Sequence, residues 1–448
     1  MTDDAPPRMP SRAEAFRYWL RLGFISFGGP AGQIAIMHRE LVDEKRWISE
    51  RRFLHALNFC MLLPGPEATQ LATYIGWLLH RTWGGLVAGI LFVLPSLLIL
   101  IALSWLYVTY GTLPAVAGIL YGVKPAVVAI VLHAAWRIGS RALKHPLLGL
   151  IAAGAFVAIF AFHVAFPLIV LSAAIIGALG GHWMPNAFAP AHKQGNGERT
   201  QKPALIDDET PTPAHARYTR WRLTRAVAAF LLLWALVIVA LVVRFGWDGV
   251  LPQMAWFFTK AALVTFGGAY AVLPYVYQGA VETFGWLTPS QMIDGLALGE
   301  TTPGPLIMVV AFVGFVGAFA HPVFDETMRF ASGAAGACVA TLFTFIPSYL
   351  FVLTGGPVIE ATHGKLRFTA PLTGITAAVV GVIVNLALFF AWHVLWPDGW
   401  RDAPLGGIDA WALAIGILAA VALFRFKTGV IPVILGCGFA GLAVALSR

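Results

Sequence analysis

Long apolar segments separated by short polar loops dominate this chain. A helix needs about 20 apolar residues to cross a bilayer, and several segments reach or approach that length. We therefore predict a transmembrane helix for each of them. They cover about 84–109, 113–134, 146–163 and 167–181 in the first half, and 226–247, 330–353, 368–392, 408–424 and 429–446 in the second.

Four further apolar segments are interrupted by Gly or Pro, which weaken or break a helix. The pattern fits either broken spans or re-entrant hairpins, and the sequence leaves both open. These segments cover about 14–37, 53–80, 249–280 and 292–320.

Composition agrees with a membrane protein. Of the 448 residues, 58% are hydrophobic and only 12% are charged, whereas soluble domains carry about 25% charged residues. The formal net charge is +8, but the cations lie between apolar segments, as the positive-inside rule expects. We therefore predict an all-α polytopic membrane protein with the lipid bilayer, not nucleic acid, as its partner.

Several function classes lack their signatures. Cys60, Cys338 and Cys437 form no Cys-x-x-Cys pair, so we expect neither a disulfide framework nor a metal site. No phosphate-binding loop or dinucleotide fingerprint occurs. We therefore expect no cofactor and no ATP-driven pump, and the N-terminus does not resemble a secretory signal.

The two halves repeat each other. Phe27-Gly28-Gly29, Trp47-Ile48-Ser49 and Pro64-Gly65-Pro66 recur, in order and at one offset of 239, as Phe266-Gly267-Gly268, Trp286-Leu287-Thr288 and Pro303-Gly304-Pro305. Further on, Pro95-Ser96 recurs as Pro347-Ser348 at an offset of 252. An internal duplication explains this pattern. We predict a first repeat over 1–181, a flexible cytoplasmic linker over 182–225, an extra transmembrane helix over 226–247 and a second repeat over 248–448.

Loop charges predict opposite orientations for the repeats. Basic residues follow alternate spans, and the loop over 281–291 contains neither Lys nor Arg. The clear spans and the extra helix place an odd number of crossings between the two Phe-Gly-Gly motifs. Two inverted repeats with discontinuous helices are a known transporter architecture, whose substrate site usually lies near the midplane.

The repeated glycine and proline motifs are the candidate binding elements. A helix that restarts after such a break presents unpaired amides and a positive dipole end, which favour an anion. The alternatives are close helix packing for the Gly-Gly pairs and a structural kink for Pro-Gly-Pro. The candidate substrate-binding residues are Gly28, Gly29, Gly65, Gly267, Gly268 and Gly304, with Thr301 and Thr302 as hydroxyl donors.

Three cations are further candidates for substrate binding. Arg21 and Lys260 occupy equivalent positions of the two repeats, and snorkelling toward an interface is the alternative interpretation. Lys124 lies in the middle of a span, where a Lys is by default a functional hypothesis. Glu67 and Glu300 flank the Pro-Gly-Pro breaks. These glutamates are the candidate ion-pair partners of Lys124 and the candidate proton carriers.

The strings FGGPAGQIAIMHRELVDEKRWISERRFLHALNFCMLLPGPEATQLATYIGW and GWLTPSQMIDGLALGETTPGPL resemble the signatures of the chromate ion transporter family, in its long two-repeat bacterial form. The resemblance implies that the protein exports chromate across the bacterial inner membrane, driven by the membrane potential or a proton gradient, and thereby gives chromate resistance. Chromate is close to sulfate in size and charge, so sulfate or another oxyanion is an alternative substrate.

Two other interpretations stay open at this point: a membrane-embedded enzyme, for which we find no redox or phosphatase signature, and a passive anion channel. The sequence also leaves a homodimer open.

Overall fold

The computed structural model describes residues 7–27, 29–188, 203–207, 219–266, 268–362, 369–397 and 407–447. Within these residues the fold is helical. The helices are α1 (Arg12–Ile25), α2 (Gly29–His38), α3 (Glu50–Cys60), α4 (Glu67–Tyr110), α5 (Pro114–Ala142), α6 (Pro146–Phe162), α7 (Phe166–Trp183), α8 (Arg220–Phe245), α9 (Val250–Leu263), α10 (Ala269–Tyr277), α11 (Pro289–Thr301), α12 (Val309–Ala320), α13 (Arg329–Thr362), α14 (Thr369–Leu395), α15 (Ala410–Phe424) and α16 (Val430–Ser447).

The prediction of an all-α polytopic membrane protein is confirmed. Seven helices among the described residues are long and apolar enough to cross a membrane, and α6 and α15 are shorter apolar helices. Every predicted span corresponds to a helix. The helix α8 is the least buried of the seven, so most of its apolar surface is available to lipid.

The first broken segment doubles back on itself. From Ser26 the chain reverses, so that Arg21 before the break lies 3.6 Å from Glu40 after it. Further from the break, the rings of Tyr18 and Trp47 are 5.2 Å apart. Of the two interpretations of this segment, the structure therefore supports a re-entrant hairpin, which we name hairpin A (residues 12–44).

The second broken segment forms a similar hairpin. The long α4 reverses at His80 and Arg81, where φ is 59° at Arg81. It thus has a short arm, residues 67–79, that packs against a long arm, residues 82–110. A Cβ added to Gly85 would lie 3.0 Å from the carbonyl oxygen of Thr73, so glycine permits this close packing. The helix α3 and the short arm form hairpin B (residues 50–79).

The second repeat contains the equivalent hairpins. In hairpin C (residues 250–283), Phe257 before the break stacks on Tyr275 after it, with ring centroids 5.0 Å apart. In hairpin D (residues 289–320), a Cβ added to Gly299 would lie 3.4 Å from the Cβ of Val309. Even the π-helical turns recur, at Arg39–Glu44 and at Gln278–Thr283.

The remaining helices pack across the repeats in a reciprocal way. The helix α5 packs on α15 and α16, while its equivalent α14 packs on α6 and α7. At the equivalent positions Gly122 and Gly374, an added Cβ would lie 2.7 Å from Gly441 Cα and 2.9 Å from Gly177 Cα. Small residues thus let these helices approach closely. Such an exchange of equivalent contacts is expected of a twofold relation.

Part of the predicted linker is attached to the first repeat. Ile206 pairs with Ile48 in a parallel β-bridge and is 5% exposed. The amide of Ser49 donates to the carbonyl of Ile206 at 2.9 Å. The linker residues 189–202 and 208–218 lie outside the described residues, so their predicted flexibility stays a prediction.

Candidate functional site

The tips of the four hairpins are the breaks at Ser26 (tip A), Gly65 (tip B), Thr265 (tip C) and Gly304 (tip D). They meet in pairs, and each pair joins the two repeats. The amide of Gly304 in tip D donates to the carbonyl of Ser26 in tip A at 2.8 Å, and the amide of Gly65 in tip B donates to the carbonyl of Thr265 in tip C at 2.8 Å. Gly65 and Gly304 are equivalent residues, and so are Ser26 and Thr265. The two bonds are therefore one contact made twice. We call the two places the A–D junction and the B–C junction.

Each junction rests on a serine in the middle of a membrane helix. Ser96 lies at the midpoint of the long arm of α4, and its equivalent Ser348 lies near the midpoint of α13. A Cβ added to Gly304 would lie 2.8 Å from the Cβ of Ser96, and one added to Gly65 would lie 3.5 Å from the Cβ of Ser348. The junctions therefore sit near half the length of these helices, where the midplane of a bilayer is expected.

A glutamine supports each junction. Gln33 donates through Nε2 to the carbonyl of Gly304 at 2.5 Å, and Gln70 donates to the carbonyl of Pro64 at 2.8 Å. Both glutamines are fully buried. These bonds satisfy carbonyls that the broken helices leave unpaired, as irregular backbone at membrane depth requires.

Polar atoms remain unpaired at the same place. The described residues provide no hydrogen-bond partner for Ser96 Oγ, Thr69 Oγ1 or the Oε1 atoms of Gln33 and Gln70. Buried polar groups without a protein partner are uncommon, and a bound water or ion often satisfies them where they occur. The junctions thus carry polar groups that a bound solute could satisfy.

Open space adjoins two of the tips. Gly29 has φ 68° and Gly268 has φ 99°, a region that favours glycine. A Cβ added to either would meet no atom within 4 Å. The helices α2 and α10 start at or directly after these glycines, and the amides of a first turn have no acceptor four residues earlier. Pro30 carries no N–H and the amide of Ala271 donates to the carbonyl of Gly268 at 3.1 Å, so the other first-turn amides are the candidate donors. Two equivalent helix N-termini thus border free space, an arrangement that favours an anion.

The predicted glycines have different outcomes. Gly29 and Gly268 lie at the open helix starts, whereas Gly65 and Gly304 lie inside the junctions. Gly28 and Gly267 lie outside the described residues. The hydroxyls of Thr301 and Thr302 donate to the carbonyls of Leu298 at 2.9 Å and Gly299 at 3.0 Å, so in this structure they cap the end of α11.

Two of the predicted cations lie on the outside of the protein. Arg21 has a side chain that is 67% exposed and lies 3.6 Å from Glu40. Lys260 is exposed and lies over the ring of Trp256, 5.9 Å from its centroid. Both contacts fit the alternative of snorkelling toward an interface.

The predicted partners of Lys124 are wrong. Its ammonium lies 3.6 Å from Asp294 Oδ2 and donates to Ser290 at 2.6 Å, instead of pairing with Glu67 or Glu300. The predicted partners lie near the breaks, whereas the side chain of Lys124 reaches the start of α11 in the other repeat.

The two predicted proton carriers lie next to the junctions. Glu67 is the first residue of α4, directly after tip B, and is half-buried. Glu300 lies just before tip D and accepts a hydrogen bond from the hydroxyl of Tyr270. Arg137 on α5 lies within electrostatic range of Glu300. In the sequence, Arg137 indicates only the topology, because its proximity to Glu300 depends on the packing of the two repeats.

Two buried carboxylates, Asp294 and Glu360, and the glutamines Gln33 and Gln70 are not among the residues predicted from the sequence. Asp294 is 2% exposed and Glu360 is 5% exposed. An acidic residue inside an apolar segment is itself a signal of function, and Asp294 stands in the apolar segment 292–320. Glu360 lacked this signal, because it lies beyond the predicted span 330–353. The glutamines had no comparable signal, because the second repeat has Val272 and Val309 at the equivalent positions.

Comparison with known proteins identifies related chains. A family model described as "Chromate transporter" matches residues 13–178 and 252–442, one region in each repeat. A chromate transport protein of Pseudomonas aeruginosa is 34% identical over 450 residues, which cover 99% of this chain and 94% of that protein.

Two further relatives cover most of the chain. A chromate transport protein of Cupriavidus metallidurans is 31% identical over 375 residues, covering 84% of this chain and 81% of that protein. A probable chromate transport protein of Synechococcus elongatus is 29% identical over 410 residues, covering 91% of this chain and 89% of that protein. No solved structure gives a significant match.

Proposed function

The chain belongs to the chromate transporter family, and we propose that it exports chromate across the inner membrane of a bacterium and so gives chromate resistance. The observation that carries the proposal is the open space at Gly29 and Gly268, beside two equivalent helix N-termini. The relatives are named transport proteins, so the chain is a transporter and the enzyme interpretation is abandoned.

We place the substrate between the hairpin tips. Chromate is a tetrahedral dianion, and its oxygens only accept hydrogen bonds. The first-turn amides of α2 and α10 and the hydroxyl of Ser96 supply donors of the required kind. The predicted glycines at the tips then act by letting the backbone approach the anion. Arg21 and Lys260 act earlier, by attracting the anion to the protein surface.

Energy coupling is proposed to use the proton gradient or the membrane potential. A dianion close to an ionised carboxylate is repelled, so protonation of Glu67 or Glu300 would favour its binding. Either residue, at the edge of a junction, can thereby link proton binding to substrate binding. Movement of net charge would in addition respond to the membrane potential.

The inverted orientation of the two repeats stays part of the proposal. The reciprocal bonds of the two junctions support a twofold relation, and the loop charges favour an axis in the membrane plane. Under this arrangement the two junctions are alternative halves of one central site, as alternating access needs.

Sulfate or another oxyanion is the second candidate substrate. Amides and hydroxyls recognise charge and tetrahedral shape, which chromate and sulfate share, so these residues provide no obvious basis for discrimination. A homodimer is compatible with the exposed apolar surface of α8.

The test is chromate uptake into inverted membrane vesicles, with and without a proton gradient and with excess sulfate. Active export predicts gradient-dependent accumulation, while equilibration without accumulation would indicate a channel. Inhibition by sulfate would show that the site accepts both anions. No chromate movement in either vesicle orientation, with folded protein present, would overturn the proposal.

A matched pair of variants locates the site. Ser96→Ala removes an unpaired buried hydroxyl at the A–D junction, and Thr341→Val removes another unpaired buried hydroxyl, seven residues before Ser348 on α13. We expect Ser96→Ala to raise the KM for chromate and Thr341→Val to leave it unchanged. Equal effects of the two variants would remove Ser96 from the site.

A further inference from the structure

Two buried carboxylates outside the junctions each tie the two repeats together. The first is Glu360 near the end of α13. It accepts a hydrogen bond from Arg52 Nη1 at 2.7 Å and another from the Tyr74 hydroxyl at 2.5 Å. The side chains of Arg52 and Glu360 are only 15% and 1% exposed. We call this the Glu360 cluster.

The second carboxylate is Asp294 in α11. It accepts a hydrogen bond from the Tyr107 hydroxyl at 3.0 Å and lies 3.6 Å from the ammonium of Lys124. The side chain of Asp294 is 3% exposed. We call this the Asp294 cluster. In both clusters a cation and a tyrosine of the first repeat hold a carboxylate of the second.

The clusters lie toward opposite ends of the same helix. Tyr74 belongs to the short arm of α4, next to Thr73, which faces Gly85 near the start of the long arm. Tyr107 lies near the end of the long arm. At a rise of 1.5 Å per residue, the positions of Gly85 and Tyr107 along the long arm are about 30 Å apart. Ser96 and the A–D junction lie between them.

The loop charges assign the clusters to opposite faces of the membrane. Arg52 follows the basic segment that includes Lys45 and Arg46, so the Glu360 cluster lies toward the predicted cytoplasmic side. Asp294 follows the loop over 281–291, which has no Lys or Arg. The Asp294 cluster therefore lies toward the predicted outer side.

A movement of one repeat against the other must break these contacts. Separating a buried ion pair leaves an uncompensated charge, which is strongly unfavourable. An intact cluster therefore keeps its own end of the transport pathway closed. The state in which both clusters are broken has the highest free energy.

We propose that the Glu360 cluster and the Asp294 cluster are the cytoplasmic and outer gates of the pathway, and that they open in alternation. This inference rests on the proposed transport function. Tyr74 and Tyr107 act as positioning residues, because each fixes the carboxylate that the cation must meet.

The chain supplies a reporter for the cytoplasmic gate. Cys60 is fully buried and lies in α3 between Arg52 and tip B. With Cys338 and Cys437 replaced by serine, Cys60 is the only thiol. For the outer gate, Ser104→Cys in a cysteine-free chain places a thiol on the long arm of α4 between Ser96 and Tyr107. Ser104 is also fully buried.

The experiment measures labelling by a membrane-impermeant maleimide, added to the cytoplasmic face for Cys60 and to the outer face for Ser104→Cys. We expect Glu360→Gln to speed labelling of Cys60 about tenfold, as a tenfold larger open population would, and to slow labelling at position 104. Asp294→Asn should have the opposite effects. Glu326→Gln is the control, because Glu326 pairs with Arg329 in an exposed contact within one repeat.

Unchanged labelling in both gate variants would overturn the inference, and so would faster labelling at both reporters in either variant. If Glu360→Gln fails to fold, the exchanged pair Arg52→Glu with Glu360→Arg replaces it. This pair should restore the slow labelling of Cys60 that Arg52→Glu alone abolishes. Labelling is measured without chromate, so a failure of the gates and a failure of chromate transport are separate results.

Discussion

The amide of Gly304 donates a hydrogen bond of 2.8 Å to the carbonyl of Ser26, and this contact joins residues that are almost two-thirds of the chain apart. It binds the tip of the last hairpin to the tip of the first. Because Gly65 and Thr265 form the same bond between the other two tips, the centre of the protein is built from one contact used twice.

Substitution of either junction glycine should damage transport. Gly304 has φ 102° and Gly65 has φ 122°, and in Gly304→Ala or Gly65→Ala the strain costs about 1–3 kcal/mol. The new methyl would also collide with the side chain of Ser96 in Gly304→Ala and with those of Ser348 and Gln70 in Gly65→Ala. We expect lower thermal stability in detergent and a large loss of chromate uptake by vesicles.

Gly154→Ala is the control for these variants. Gly154 lies within α6, and an added Cβ would meet no atom within 4 Å. It should therefore tolerate alanine. If Gly304→Ala behaves like Gly154→Ala, the close packing of the junction is not required.

Neutral replacement of Lys124 should weaken transport without preventing membrane insertion. Lys124→Gln leaves Asp294 buried without its cation, and removing one partner of a buried pair costs about 3 kcal/mol. The double variant with Asp294→Asn should recover much of the lost stability. Unchanged transport kinetics in well-expressed Lys124→Gln protein would contradict this role.

Arg21→Gln should have a smaller effect that depends on ionic strength. Its side chain is largely exposed, so it acts on the approaching anion through a screened field. We expect a higher KM for chromate at low salt and little difference at high salt. A change in the maximal rate at high salt would argue instead for contact with the bound anion.

Loss of a proton carrier should uncouple chromate transport from the proton gradient. In Glu300→Gln or Glu67→Gln, chromate should still equilibrate across vesicle membranes, but a pH gradient should no longer drive its accumulation. Tyr270→Phe keeps the carboxyl group of Glu300 and removes its hydrogen bond, so coupling should persist with an altered pH profile. Full gradient-driven accumulation in both glutamine variants would exclude these carboxylates as carriers.

The docked linker segment should be released by a charge at its centre. Ile206→Asp puts a carboxylate into a buried apolar site beside Ile48, which is strongly unfavourable. We expect faster protease cleavage near residues 203–207, with Ile206→Val as the control. Equal cleavage rates would show that the β-bridge does not protect this segment.

The sequence alone predicted the helical spans and the breaks between them. Hydrophobic spans of membrane length are set by the bilayer itself, and the repeated motifs at offsets of 239 and 252 record the duplication. The tripeptides with Gly and Pro also marked the breaks, since few other residues allow φ values such as 122° at Gly65. These features are local, so they can be read along the chain.

The tertiary structure decided which local features meet. No periodicity indicates that tip A pairs with tip D, that Gln33 supports a break 271 residues away, or that Lys124 reaches Asp294 and not Glu67. Such contacts depend on how the two repeats pack, and a polar side chain in an apolar segment can satisfy its charge with any partner within reach. The sequence therefore determined the spans, the breaks and the repeats, while packing between repeats determined the site and the ion pairs that enclose it.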